Sequence, residues 1–220
     1  MQLLFVRHGE SVGNAQGRMQ GHQDFGLTER GREQAQCLAR WLASVGLEWN
    51  AAYTSPLARA RETAALLAEH LPRPSAEPLA ALAELRAGSL EGLTLEDIVE
   101  RHPSYMSRGL EGLGDFSEFG GESYAQVQER VSELVQHLYA SHADDERVLL
   151  VAHGGINFQI LKRLICEPVP RVCILRMGNC TATLVRVRER RGLRMGEVMW
   201  HVPVELMGGQ EGNDVSKLFR

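Results

Sequence analysis

Two histidines occupy matching positions in this 220-residue sequence. His8 ends the apolar run in "LLFVRHG", His153 ends the run in "LLVAHGG", and a glycine follows each of them. An imidazole changes its charge near neutral pH, so it can act as a nucleophile or as a proton carrier. A single histidine of this kind more often only bonds a nearby backbone group. Because the pattern occurs twice and Arg7 adjoins one copy, we predict a chemical role for both.

Arginines provide positive charge close to these histidines. Arg7 ends a buried run, where an unpaired guanidinium costs much free energy, so it must meet water or an anion. A second candidate lies in "TSPLARARETA", which also follows a short strand. Arg59 falls in the first helical turn, against the usual preference for acidic residues there, whereas Arg61 fits a solvated surface position. We therefore favour Arg59 over Arg61.

Strands alternate with helices around these residues. An apolar strand at 3–6 leads through a glycine-containing loop into a helix that Thr28 is placed to cap. The short strand "AAYTS" repeats the pattern, with a helix that has Pro56 in its first turn and Pro72 beyond its end. An amphipathic helix in "SYAQVQERVSELVQHLYASH" then precedes a buried strand at 148–152, and the helix "INFQILKRLI" follows it.

This order predicts an α/β fold, a three-layer α/β/α domain with a mostly parallel central sheet. The carboxyl ends of parallel strands lie at one edge of such a sheet, where open α/β folds bind their ligands. His8 and His153 can therefore meet although they are far apart in the sequence.

The remaining segments predict a lid and an antiparallel edge. Residues from about 85 to 122, rich in glycine around a short helix near 94–101, indicate a lid-like insertion. The alternating stretch at 180–202 predicts two antiparallel strands, an edge that is a candidate for pairing in a homodimer. We predict a single domain over 1–205 and a polar tail over 206–220. Four side chains of the lid either line a substrate pocket or form the lid's own core: Tyr105, Met106, Phe116 and Phe119.

The composition argues against several classes of function. A net charge of −4 and a pI near 6.1 do not suit nucleic acid or an anionic membrane, which require clustered positive charge. The four cysteines lack CxxC spacing and the density of a disulfide framework, and the histidines lack metal-site spacing such as HExxH. With no signal peptide and no apolar run long enough for a membrane span, we expect a cytoplasmic protein.

Six segments together resemble the histidine phosphatase superfamily, the group that includes cofactor-dependent phosphoglycerate mutases. They occur in the family's order and cover the chain from about residue 3 to 187. The segments are "RHGESVGN", "GRMQGHQDFGLTERGREQA", "TSPLARARETA", "LAELRAGSLEG", "GGES" and "VAHGG". The resemblance implies a phosphoglycerate mutase-like fold and a small-molecule phosphate ester as the substrate.

The resemblance further implies that His8 is the nucleophile that takes the phosphoryl group, with Arg7, Arg59 and His153 gathered around it. The chemistry agrees, because a neutral imidazole is a competent nucleophile and forked guanidinium donors match phosphate oxygens. A protonated His153 would add charge where the transferring group spreads its own. No metal ion and no other cofactor is then required.

The same resemblance assigns a proton donor. Glu84 in "LAELRAGSLEG" matches the family's acid, which protonates the leaving oxygen and afterwards serves as the base for water. Three other acids are rivals for this role: Glu91, Glu96 and Asp97.

Polar groups in the loop after the first strand match family positions that bind phosphate. Asn14, Gln20 and Gly21 would do so through an amide or an open backbone N–H. Asn14 could instead shape a turn and Gln20 could be a surface residue, and we favour Asn14 of the two. Gly154 in "VAHGG" completes the predicted substrate-binding set.

The chain also departs from the family pattern. Gly13 stands where an aromatic residue is frequent and Gly26 where a proline is common, and both could loosen the loop after the first strand. The mutase branch has a longer segment before the final histidine and typically HGN where this chain has "HGG", which favours a phosphatase. Our leading hypothesis is a metal-independent phosphatase of small phosphate monoesters. A phosphoglycerate mutase comes second, and a non-catalytic domain that binds phosphate esters comes third.

Overall fold

The described part of the chain contains six strands and seven α-helices. The structure is a computed structural model that describes residues 1–71, 74–106, 114–166, 177–190 and 192–207. In chain order the elements are β1 (Gln2–Arg7), α1 (Val12–Ala15), α2 (Glu29–Ser44), β2 (Ala51–Thr54), α3 (Ala58–His70), β3 (Glu77–Pro78), α4 (Leu95–Arg101), α5 (Pro103–Met106), α6 (Tyr124–Ser141), β4 (Arg147–Ala152), α7 (Gly154–Cys166), β5 (Ala182–Arg190) and β6 (Leu193–Val202).

β1 lies inside a six-stranded sheet with the strand order β3-β2-β4-β1-β5-β6. The pairs β1–β4, β4–β2 and β2–β3 are parallel, whereas β5 and β6 form an antiparallel hairpin beside β1. This confirms the predicted mostly parallel sheet. Because Arg7 pairs with Ala152, the next residues, His8 and His153, leave the sheet side by side.

Both faces of the sheet are buried, which explains why β1 is an unbroken apolar run. Successive side chains of a strand point to opposite faces, so Leu3 and Phe5 join the core beneath α6 and α7. Leu4 and Val6 join the opposite core, beneath α2 and α3. Each of these four side chains is completely buried and contributes about 1.5–3 kcal/mol through the hydrophobic effect. The two helical layers confirm the three-layer architecture.

Local hydrogen bonds explain where α2 and α3 begin, and they correct the predicted start of α3. α2 begins where the sequence predicts, because Thr28 Oγ1 accepts the Gly31 N–H at 3.0 Å. α3 begins later than predicted: Leu57 is its N-cap, so Pro56 lies before the helix and not in its first turn. The reason is local, since Ser55 Oγ accepts the Leu57 N–H at 3.2 Å and closes the preceding turn.

The hairpin of β5 and β6 confirms the antiparallel prediction and places β6 at the edge of the sheet. The sequence pattern does not predict α1 or β3, because four and two residues are too few to show a period. Pairing of this edge with a second copy stays a prediction, as does the division into one domain and a tail. Residues 208–220 of the predicted tail and 107–113 of the predicted lid lie outside the described residues.

Aromatic side chains of the predicted lid contact one another. Tyr105 stacks on Phe116 with ring centroids 6.0 Å apart, and it meets Phe119 edge-on at 5.9 Å. Phe116 and Phe119 are both buried in the core that α6 and α7 cover. Of the two roles expected for these residues, the structure therefore shows core packing. The side chain of Met106 lies outside the described part of the chain.

Candidate active site

The two histidines lie together at the carboxyl edge of the sheet. Their ring centroids are 5.1 Å apart and their planes are tilted by 60°. His8 is 2 % exposed and His153 is completely buried. Burial, and then the charges of Arg7 and Arg59, lower the pKa of His8 well below its ordinary value. His8 is therefore a neutral imidazole at neutral pH.

One hydrogen bond determines the tautomer of His8. Its Nδ1 lies 2.7 Å from the carbonyl oxygen of Gly9, an atom that can only accept. Nδ1 thus carries the ring proton, and the lone pair is on Nε2. A neutral ring with a bare Nε2 is the form that can attack phosphorus.

His153 is also neutral, and both of its ring nitrogens are bonded. Arg59 Nε donates to His153 Nδ1 at 3.1 Å, and His153 Nε2 donates to Ser55 Oγ at 2.7 Å. Burial first, and then the nearby His8 ring and the charge of Arg59, lower the pKa of His153. The sequence led us to expect a protonated His153. The geometry is that of the neutral form, because a guanidinium N–H cannot donate to a protonated nitrogen.

Arg59 is buried in the first turn of α3 and holds the loop after β1. Its Nη1 and Nη2 donate to the carbonyl oxygens of Gln23 and Gly21, each at 2.8 Å. Gly21 has a φ of 50°, and a Cβ there would lie 2.2 Å from Glu91 Oε1, so the position requires glycine. Gly21 meets Arg59 through its carbonyl, and the predicted contact of its N–H with phosphate stays a prediction. Arg61, by contrast, is exposed.

Arg7 is half-buried, and part of its donor capacity is unused. Its Nη1 donates to the Met177 carbonyl at 2.6 Å, whereas its Nε has no hydrogen-bond partner among the described residues. The guanidinium lies against Gly154, where a Cβ would be 3.6 Å from Nε. Burial lowers the pKa of Arg7 and the charge of Glu84 opposes this, yet the group stays protonated at neutral pH. An anion beside Arg7 would satisfy the remaining donor.

Glu84 lies at the N-terminus of α7. Its Oε2 accepts the Gly155 N–H at 3.1 Å, and its Oε1 accepts those of Ile156 at 2.9 Å and Leu85 at 3.0 Å. The first N–H groups of a helix have no partner within the helix, and the Glu84 oxygens accept two of them. The charge of Glu84 also acts to raise the pKa of both site arginines. The predicted acid thus faces the cations of the site.

The three rival acids have other surroundings. Glu91 Oε1 accepts the backbone N–H groups of His22 at 3.1 Å and Ala87 at 2.9 Å, so it joins two loops. Asp97 closes a capping box at the start of α4, and these hydrogen bonds lower its pKa. Glu96 is exposed on the first turn of the same helix. Each of these carboxyl groups therefore has a structural explanation.

Asn14 is held through its side-chain oxygen. Its Oδ1 accepts from Ser11 N at 3.2 Å and lies 3.0 Å from Ser11 Oγ, in the capping box of α1. Asn179 Nδ2 donates to the same oxygen at 3.1 Å. Because the Ser11 N–H and the Asn179 amide donate to Oδ1, the Nδ2 group of Asn14 is left to meet an acceptor elsewhere.

Gln20 is buried, which removes the alternative of a surface residue. Its Oε1 accepts from Ser11 Oγ at 2.7 Å. A Cβ on Gly13 would lie 2.6 Å from Gln20 Cγ, so the Gln20 side chain fills the space that a larger residue at 13 would need. Gly13 therefore accommodates Gln20, and this departure from the family pattern has a packing reason.

Gly9 allows the close approach of two backbones. A Cβ there would lie 2.3 Å from the carbonyl oxygen of Gly31 in the first turn of α2. The Gly9 N–H donates to Thr63 Oγ1 at 3.0 Å, and Thr63 lies one turn after Arg59 on α3. The segment that follows His8 is thus fixed between α2 and α3.

Several residues that hold the site escape sequence prediction. Ser55 and Thr63 belong to the "TSPLARARETA" segment, so inspection of its hydroxyl groups would have found them. Gly155 belongs to "VAHGG", but its contact with Glu84 has no local signal. Asn179 is in a stretch that carries no motif, and nothing in the sequence points to its contact with Asn14.

The described ranges contain neither a metal-binding cluster nor a membrane-spanning helix. No group of three or more His, Cys, Asp or Glu side chains in them is placed to hold a metal ion. No helix of this part of the chain has the length and apolar character that crossing a membrane requires.

Comparisons with known proteins identify the family. The family described as the histidine phosphatase superfamily (branch 1) matches residues 3–195. A metal-independent phosphoserine phosphatase of Arabidopsis thaliana is 34% identical over 193 residues, which are 86% of this chain and 78% of that protein. A 2,3-bisphosphoglycerate-dependent phosphoglycerate mutase of Parvibaculum lavamentivorans is 35% identical over 200 residues, 90% of this chain and 95% of that protein.

A solved structure extends the similarity to the fold. The mycobacterial glucosyl-3-phosphoglycerate phosphatase in complex with VO3 has a TM-score of 0.75 and 31% sequence identity, covering 90% of this chain and 96% of that chain. The family match and the named phosphatase relatives support a phosphatase. Since the match extends over nearly the whole chain and agrees with the fold, the chain belongs to the histidine phosphatase superfamily.

Proposed function

We propose that this protein is a metal-independent phosphatase that hydrolyses small phosphate monoesters through a phosphohistidine on His8. The observation that carries the proposal is the bond from His8 Nδ1 to the Gly9 carbonyl, which leaves the lone pair on a buried Nε2. The lowered pKa of His8 keeps this lone pair unprotonated at neutral pH. A nucleophile of this kind divides one difficult displacement into two easier ones.

In the first step, His8 Nε2 forms a bond to phosphorus while the bond from phosphorus to the ester oxygen breaks. Glu84, in its protonated form, gives its proton to that leaving oxygen. In the second step, Glu84 takes a proton from water as the water oxygen attacks phosphorus and the N–P bond breaks. Inorganic phosphate leaves, and both side chains return to their starting forms.

The cations of the site would hold the phosphoryl oxygens during both steps. Arg7 has an Nε donor without a partner among the described residues, and Asn14 has its Nδ2 group left for an acceptor. Arg59 and the neutral His153 are bonded to each other, so we propose that they support the anion as one preorganised unit. Positive charge fixed in place before the reaction is worth more than the same charge in water.

The test is a phosphate-release screen over many metabolites in the presence of EDTA, with wild type compared with His8→Ala. The exposed His70 at the end of α3 gives a matched control, His70→Ala. We expect release by wild type and by the control, and none by His8→Ala. A labelled ester should in addition leave an acid-labile, base-stable adduct on wild type. Normal turnover by His8→Ala would refute the proposal.

A phosphoglycerate mutase is the second candidate, because relatives of that name reach 35% identity. In a mutase the phosphoenzyme resists water and returns its phosphate to a second hydroxyl group. Comparing the free phosphate with the isomer formed from 3-phosphoglycerate separates the two activities. Saturable binding of phosphate esters without turnover, across the whole panel, would instead favour the third hypothesis of a non-catalytic domain.

A further inference from the structure

We propose that Asn179 is a positioning residue that orients the Asn14 amide and the backbone of His8 for phosphoryl transfer. Asn179 lies in the turn that leads into β5, outside every segment that resembles the family. The inference rests on the proposed function, because it assigns Asn14 and His8 to the phosphate site.

Both hydrogens of the Asn179 side-chain amide are used in hydrogen bonds. Its Nδ2 donates to the His8 carbonyl oxygen at 3.1 Å and to Asn14 Oδ1, also at 3.1 Å. An amide nitrogen has two hydrogens, so these two bonds use its whole donor capacity. One side chain thus ties the residue that bears the nucleophile to the residue expected to bind phosphate.

The orientation of both amides follows from an atom whose role is unambiguous. Ser11 N–H can only donate, so the Asn14 atom that faces it at 3.2 Å is Oδ1. Asn179 must then present its nitrogen to that oxygen, and its nitrogen equally suits the His8 carbonyl. The chain of bonds leaves only one direction for the Nδ2 group of Asn14, away from Ser11 and Asn179.

The backbone of the same turn makes a parallel contact. Cys180 N lies 3.0 Å from the Arg7 carbonyl and 3.2 Å from the His8 carbonyl. Cys180 has a φ of 49°, the left-handed region that residues other than glycine seldom adopt. Such a conformation persists where its surroundings enforce it, and it is frequent at functional sites. The turn is therefore built against the end of β1, with Asn179 at its tip.

The proposal predicts graded effects of substitution. Asn179→Ala removes both bonds, and we expect kcat/KM to fall about 10-fold. Asn179→Asp keeps the shape of the side chain, but it places a carboxylate oxygen, which can only accept, against the acceptor oxygens of His8 and Asn14. We therefore expect kcat/KM to fall about 100-fold. Asn50 provides the matched control, because its Oδ1 accepts the Arg147 N–H at the opposite end of β4. Asn50→Ala should leave kcat/KM unchanged.

Orthovanadate binding, measured by calorimetry, provides a readout that a merely structural role would not change. Each Asn179 variant should bind orthovanadate more weakly than wild type, by a factor similar to its own loss of kcat/KM. In an Asn14→Ala background, Asn179→Ala should have a clearly smaller effect than in wild type, because one of the two partners of Asn179 is already gone. If Asn179→Ala does not fold, Asn179→Ser, which keeps one donor, takes its place in every measurement.

The outcomes separate this proposal from the proposed function. Unchanged kinetics and orthovanadate affinity in the Asn179 variants would overturn it, even if their melting temperatures fell. Additive effects in the Asn14→Ala background would overturn it as well. If wild type binds orthovanadate but releases no phosphate from any ester, the proposed function fails, while the binding data still decide the role of Asn179.

Discussion

Glu84 and Gly155 are in direct contact, and the contact leaves no room for a side chain on Gly155. Glu84 Oε2 accepts the Gly155 N–H at 3.1 Å, and a Cβ on Gly155 would lie 2.6 Å from Glu84 Oε1. Gly155, the second glycine of "HGG", is thus the residue that lets the carboxyl group dock on α7 in this chain. The position of the proposed proton donor depends on this glycine.

Gly155→Ala should therefore displace Glu84 and lower kcat more than it raises KM. We expect kcat to fall about 10- to 100-fold, because a misplaced proton donor loses part of its contribution. Gly26→Ala is the control, since a Cβ there meets only Glu62 Oε2, at 3.8 Å. Steady-state kinetics on an alkyl phosphate provides the measurement. Equal kcat for Gly155→Ala and wild type would contradict the proposed dependence.

Glu84→Gln should lose the proton donor while keeping the shape of the side chain. With an alkyl phosphate we expect kcat/KM, which reports the first step and not the later attack of water, to fall about 10²- to 10⁴-fold, because the leaving alkoxide needs a proton. With p-nitrophenyl phosphate the loss should be much smaller, because that leaving group departs without one. Glu96→Gln, at an exposed rival acid, should match wild type on both substrates. The same loss on both substrates would show that Glu84 is not the proton donor.

Arg59→Lys should impair both stability and activity, although the charge is kept. A lysine cannot replace the three bonds that Arg59 makes to Gln23, Gly21 and His153. We expect the free energy of unfolding to fall by about 2–3 kcal/mol, together with a marked loss of kcat/KM. Urea denaturation and initial rates provide the measurements, and the exposed Arg61→Lys is the control. If Arg61→Lys were the more damaging change, the choice of Arg59 would be wrong.

The buried histidines should make the protein less stable in mild acid. Burial is the main cause of the lowered pKa of both His8 and His153. When the pH falls below about 6.5, these histidines take up protons in the unfolded chain but not in the folded one. The free energy of unfolding therefore falls with pH, by at most about 1.4 kcal/mol per pH unit for each histidine. Above about pH 7 they should cause no such change.

Urea denaturation at several values between pH 5 and 7 is the measurement for this effect, with about half-unit steps being sufficient. His8→Gln should remove the contribution of one histidine to the slope, whereas the exposed His70→Gln should leave the slope as in wild type. The comparison between variants cancels the contribution of the carboxyl groups that titrate in the same range. An unchanged slope in His8→Gln would mean that the pKa of His8 is the same in the folded protein as in the unfolded chain.

The sequence by itself determined the sheet and the main residues of the site. Apolar runs as short as Leu3 to Val6 must be buried on both faces, which requires a parallel sheet covered by helices. A parallel sheet then brings the residues after its strands to one edge, which is how His8 and His153 come together. The choice of Arg59 over Arg61 likewise needed only the helical period and the position of the helix start.

Only the tertiary structure decided the protonation of His153, the docking of Glu84 on α7 and the contact of Asn179 with Asn14. Glu84 and Gly155 are 71 residues apart, and Asn179 and Asn14 are 165 apart. Hydrophobic period and capping act over a few residues, so they determine where elements begin and which face is buried. The pairing of hydrogen-bond donors with acceptors depends on the register and packing of elements that meet only in the folded chain. This pairing sets the proton positions on which the chemistry depends.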